Sequence, residues 1–136
     1  MQLTLARCFM SEIILEWITK AEEDWQVVCL LSGSDLQAYN TICFHAQQCA
    51  EKLLKALLIN HQIVPEYTHN LVRLRQKLSA YYSEWDVTLD ELELLSVASV
   101  EYRYPGEEAS PEDVEICIDV CDRLRNQILA ILQVEN

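Results

Sequence analysis

The sequence predicts an all-α protein, an antiparallel up-and-down bundle of four to five helices, and three observations carry that prediction. The chain has 136 residues, the size of one compact domain and too few for two. Hydrophobic residues make up 51%, enough for a core and too many for a disordered chain. With 2 glycines and 3 prolines there are too few breakers for a turn-rich sandwich or barrel, and the apolar positions recur at helical steps.

The first helix is expected from about Ser11 to Leu31. Ile14, Trp17, Ile18, Ala21, Trp25, Val28 and Cys29 form its apolar stripe, with Glu16, Lys20, Glu23 and Asp24 between them. Residues 1–10 read as an N-terminal extension before a bundle domain at 11–136. Ser32-Gly33-Ser34-Asp35 is a turn, and Asp35 is placed to cap the next helix. From Leu36 to about His61 comes the longest helix, with Tyr39, Ile42, Cys43, Ala46, Cys49, Ala50, Leu53, Leu54, Leu57 and Leu58 inward. Its Ala46, Ala50 and Ala56 allow a neighbour to approach closely. Pro65 then breaks the helix.

Thr68 or Asn70 caps a shorter helix through Leu71, Leu74 and Leu78 to about Tyr82. Trp85 lies in the following connection. Thr88-Leu89-Asp90-Glu91 reads as a capping box, opening a helix with Leu92, Leu95 and Ala98 inward. Pro105-Gly106 cannot continue it. Ser110 caps the last helix, with Pro111 at its first position and Glu112 and Asp113 complementing its positive end. Val114, Cys117, Ile118, Cys121, Leu124, Ile128 and Ile131 form the main stripe. Ile116 and Val120 add a second strip, a candidate subunit interface.

Net charge is −12, from 22 acids against 10 bases, and that field opposes binding to DNA. The average hides an asymmetry. Between positions 52 and 77, Lys52, Lys55, Arg73, Arg75 and Lys77 face the single acid Glu66, and His61 and His69 fall in the same stretch. A solvated face and an anion site both fit that pattern. No apolar run approaches a membrane span, and the first ten residues lack a secretory pattern, so the expected location is the cytoplasm. The 6 cysteines contain no CxxC and no completing His spacing, so buried structural thiols are expected in place of a metal site, and no cofactor is called for.

Three places could carry chemistry. His45, Gln48, Lys52 and Lys55 differ by three or four and align along one side of the long helix. Such a row is also what any amphipathic helix presents. His69, within Thr68-His69-Asn70 and beside Arg73, suits a general base or an RNA ligand, or equally a loop-fixing residue. Arg103, within Tyr102-Arg103-Tyr104-Pro105, suits a phosphate or carboxylate partner, or the carbonyls of a helix end. None compels an enzyme, since there is no Gly-rich phosphate loop and no nucleophile with a neighbouring base.

The run Phe44-His45-Ala46-Gln47-Gln48-Cys49-Ala50-Glu51-Lys52-Leu53-Leu54-Lys55-Ala56-Leu57-Leu58 resembles the central helix of HEPN domains. In matching order come Trp17, Ala21, Glu22, Asp24 and Trp25 before it, then Pro65 with Thr68-His69-Asn70-Leu71, then Arg103-Tyr104-Pro105. The resemblance covers about 11–133 and implies a small all-α bundle, commonly a homodimer. It also implies partnership with a minimal nucleotidyltransferase in a toxin–antitoxin-like module. Many such proteins are metal-independent ribonucleases whose signature is an Arg followed after four to six residues by a His.

Here no His follows His69, and the nearest substitutes, Glu107 and Glu108, lie four and five residues after Arg103 and are anionic. The resemblance therefore implies a partner protein that binds a nucleotide or RNA phosphate, leaning away from an enzyme, with the catalytic residues unassigned. Lys52, Lys55, His69 and Arg103 are the expected phosphate contacts. Tyr102 and Tyr104 are candidates for nucleotidylation by the partner. The alternative is a ribonuclease in which His69 or His45 supplies the imidazole.

Overall fold

The computed structural model describes residues 2–101 and 105–133, with side chains described throughout except at 2–10 and 99. The described residues form five helices: α1 Gln2–Ser32, α2 Tyr39–Asn60, α3 Leu71–Gln76, α4 Leu89–Glu101 and α5 Pro111–Ile131. This is the all-α bundle that the periodicity predicts. Among the described residues, no helix is long and apolar enough to cross a membrane.

α2 is the spine. Its 22 residues touch all four other helices, so apolar side chains are buried around most of its circumference. Leu53, Leu54, Leu57 and Leu58 are fully buried, and Ala46, Ala50 and Ala56 let neighbouring helices close in. α1 lies antiparallel along one side, burying Ile18, Ala21 and Val28. On another side α5 runs parallel to α2, with the buried thiol of Cys43 beside that of Cys117 and Cys49 beside Cys121. The neighbouring Cys43 thiol, together with burial, pushes the Cys117 thiol up. Arg125 spans from α5 to α1, giving Glu22 two bonds of 2.8 and 2.7 Å.

The caps follow local chemistry. Ser110 and Asp113 form a capping box at α5, with Pro111 in the first turn. Thr88 and Glu91 exchange the equivalent bonds at α4. Asn70, one of the two expected caps of α3, accepts from Arg73 N at 3.1 Å, while Thr68 Oγ1 accepts from Asn70 N. α2 ends in a Schellman motif: Ile63 N–H donates to Leu58 O and Gln62 N–H to Ile59 O. Gln62 occupies the left-handed position (φ 60°) that glycine usually fills.

Several expectations need correction. α1 begins at Gln2, well before Ser11. Asp35 caps nothing, because α2 starts at Tyr39 after an irregular stretch, and its N-cap Ala38 has no capping side chain. Asn40 ties that end down instead, accepting from Ala109 N at 2.8 Å. α3 is helical only to Gln76, and tight turns then lead to Tyr82. Val120 is buried in the bundle, so the second strip on α5 reduces to exposed Ile116. Cys29 is exposed, being one residue past inward-facing Val28 and therefore about 100° around the helix.

Candidate functional site

The α1–α2 seam contains two carboxylates that helical spacing places among apolar neighbours. Asp24 sits between Ala21 and Val28 on the buried stripe of α1 and is itself buried. Its place between the stripe residues had suggested the solvent side. It is accommodated because both oxygens are used: Oδ1 accepts from His45 Nδ1 at 2.7 Å, and Oδ2 from Lys52 Nζ at 2.6 Å.

Further along α2, Glu51 plays the same part at greater depth, 4% exposed. Its Oε2 accepts from Lys55 Nζ at 3.1 Å, one helical turn away. Its Oε1 accepts from His69 Nδ1 at 2.8 Å and from Gln47 Nε2 at 3.3 Å. Gln48 extends the chain of bonds, donating to Gln47 Oε1 at 2.8 Å. Lys55 is also buried, contrary to its place in a polar row, and its ammonium lies 5.7 Å from the Trp17 ring centroid and 5.9 Å from that of Tyr67. Lys52 and Lys55 are therefore each paired to a buried carboxylate, so neither charge is free to meet an incoming phosphate unaided.

His69 is different. Its side chain is 67% exposed although its Nδ1 is bonded to Glu51. With a carboxylate accepting at Nδ1, that nitrogen carries the proton, and in the neutral ring Nε2 is left as an acceptor. Two side chains fix the backbone that carries the ring. Gln47 and Ser96 donate to His69 O at 3.0 and 3.2 Å, and Leu71 N donates to Ser96 Oγ at 3.1 Å. Upstream, Glu66 pairs with Arg73 and Lys77, and those bonds hold its carboxyl down at about 2. His69 opens into a groove of about 610 Å³ between the 68–70 segment and α4, lined on the α4 side by Glu93, Ser96, Val97, Val100 and Glu101.

Of the four expected phosphate contacts, Lys55 and His69 converge on one carboxylate, Glu51, while Lys52 joins His45 on Asp24. Tyr102, Arg103 and Tyr104 lie outside the described residues. Pro105 is exposed in a turn with Gly106, whose φ of 92° requires glycine's freedom. His61 belongs elsewhere, stacked on Tyr81 and bonded to Tyr82 Oη at 2.7 Å. Sequence reasoning missed Asp24, Gln47 and Glu51. An acid at a stripe position of α1, and the Gln47–Glu51–Lys55 ladder at four-residue steps, were the signals available. Among the described residues, no group of three His, Cys, Asp or Glu gathers to hold a metal ion.

The HEPN domain family model matches residues 14–131, nearly the whole chain and every element that builds the seam. The chain belongs to the HEPN domain family. Solved structures agree on the fold. The HEPN bundle superimposes on TT1696 from Thermus thermophilus with a TM-score of 0.63 and 25% identity, covering 88% of this chain and 95% of that one. ST0689, an archaeal HEPN homologue, gives a TM-score of 0.60 at 24% identity, covering 88% and 97%. No curated protein matches this HEPN chain.

Proposed function

We propose that this HEPN protein is the helical partner of a minimal nucleotidyltransferase in a toxin–antitoxin-like module, and that it takes a nucleotide phosphate in the His69 groove. The observation that carries the reading is an exposed imidazole oriented from behind by buried Glu51, whose outward Nε2, in the ring that carries both protons, donates to a phosphate oxygen. Glu93 and Glu101, which line the groove with His69, together with the net charge of −12, oppose a long polyanion more than a single phosphate. That favours a nucleotide over RNA. Val97 and Val100, which line the groove, give it an apolar wall for the base or sugar of a nucleotide, and exposed Leu94 and Ile116 leave apolar surface that supports homodimer formation.

The reading is tested by co-expression with a minimal nucleotidyltransferase and by thermal shift with ATP and GTP. The two proteins should co-purify. Nucleotide at a hundred times its dissociation constant should stabilise the HEPN chain by about 2.7 kcal/mol, and His69→Ala should abolish the shift. Absence of both the complex and the shift would overturn the proposal.

The Glu51–His69 pair also favours a second reading, a metal-independent ribonuclease with His69 as general base, since a carboxylate on Nδ1 leaves Nε2 to take a proton. Cleavage of a tRNA pool that is lost in both His69→Ala and Arg103→Ala would establish it. RNA left intact by the parent protein would remove it.

A further inference from the structure

Away from the α1–α2 seam, α3 and the connection to α4 enclose an arginine in an unusual setting. Arg73, Arg123 and Arg125 each bind at least one carboxylate. Arg75, only 7% exposed, binds none among the described residues. Its Nη2 donates to Tyr82 O at 2.5 Å, and its guanidinium stacks 4.2 Å from the Trp85 ring centroid. Its Nη1 is buried with no hydrogen-bond acceptor, and so is the indole Nε1 of Trp85. Desolvation pulls Arg75 below the usual arginine range.

Two buried N–H donors on stacked groups thus share one need, an acceptor with two oxygens. Arg75 and Trp85 both line a groove of about 500 Å³ that also carries apolar Val87 and Leu89 and the hydroxyls of Ser83 and Thr88. Glu84 lies on the same rim, which disfavours a multiply charged anion there.

We propose that this groove binds a monoanionic carboxylate with an apolar tail, its two oxygens accepting from Arg75 Nη1 and Trp85 Nε1 once a small side-chain shift uncovers these sealed atoms. The carboxylate belongs either to a small aromatic or aliphatic acid or to the C-terminus of a peptide ending in an apolar residue. The groove lies apart from His69, so the inference stands whether or not a nucleotide binds there.

Benzoate is the probe for a small acid, and an unstructured peptide ending in leucine, with its C-terminally amidated form as control, is the probe for a chain end. The full chain is labelled on its 3 tryptophans, and each probe is titrated while the indole N–H resonances are followed. The Trp85 resonance should move saturably while those of Trp17 and Trp25 stay in place. Trp85→Phe keeps an aromatic ring and loses one donor to a charged acceptor, so binding, followed by calorimetry, should weaken at least roughly tenfold. Arg75→Gln should abolish it, and Trp85→Phe serves alone if that variant fails to fold. A Trp85 resonance that ignores both probes would overturn the proposal. So would equal responses to benzoate and inorganic phosphate, or a peptide effect that survives amidation with no response to benzoate.

Discussion

Removing the Glu51 carboxylate should cost the fold far more than one surface ion pair would, because Lys55 has no route to water without reorganising the seam. The two side chains are 5% and 9% exposed and 3.1 Å apart. Glu51→Ala leaves a buried ammonium without its acceptor, a change worth about 3–5 kcal/mol. At a urea m-value of about 2 kcal/mol/M, the unfolding midpoint should fall by roughly 1.5–2.5 M. Removing both charges together should be milder. Glu51→Ala with Lys55→Met has no buried charge to strand, so most of the loss should return, giving a coupling of about 2 kcal/mol or more. Urea unfolding followed by circular dichroism on the four members of the cycle measures this directly. A loss under about 1 kcal/mol for Glu51→Ala, or two effects that simply add, would show that Lys55 swings out past Tyr67 and that the network is solvated.

Other consequences are smaller and local. Leu57→Ala, at a fully buried position on α2, should lower stability by about 2–5 kcal/mol in the same urea assay. Ser110→Ala should remove about 1 kcal/mol by breaking the α5 capping box. Gln62→Gly should raise stability by about 0.5–1 kcal/mol, since glycine adopts the left-handed end of α2 without the side-chain penalty, and a lower melting temperature would contradict the Schellman assignment. Glu66 is held at about 2, below its ordinary 4.5, so its contribution is complete above 4.5 and is lost as pH falls to about 2. Acid unfolding curves of the parent and Glu66→Gln should therefore converge across that window.

The elements were legible wherever apolar spacing or a capping pair decided them. The stripe on α2, the boxes at Thr88 and Ser110 and the cap at Asn70 needed only local chemistry. The start of α2 was not legible, because Asp35 has the right side chain but the chain stays irregular to Ala38. The site was read in half. His45, Lys52 and Lys55 stood out as polar residues at regular spacing and His69 as a histidine at a helix start, yet their roles depend on Asp24 and Glu51, which spacing assigns to ordinary helix faces. Burial decides those roles. Asp24 of α1 takes its partners from α2, and Glu51 of α2 takes His69 from the 68–70 loop, so only the fold brings these three segments together. The Arg75–Trp85 stack was hidden for the same reason, since the turns after Gln76 carry Trp85 back over α3.

The central claim is that His69, held by Glu51, is the group that meets a ligand. With only 3 histidines in the chain, labelled imidazole nitrogens can be followed one by one while ATP is added. The account predicts that His69 Nε2 shifts saturably while His61, bonded to Tyr82, does not move. A His69 signal unchanged at saturating nucleotide, with its Nδ1–H still bonded to Glu51, would contradict it.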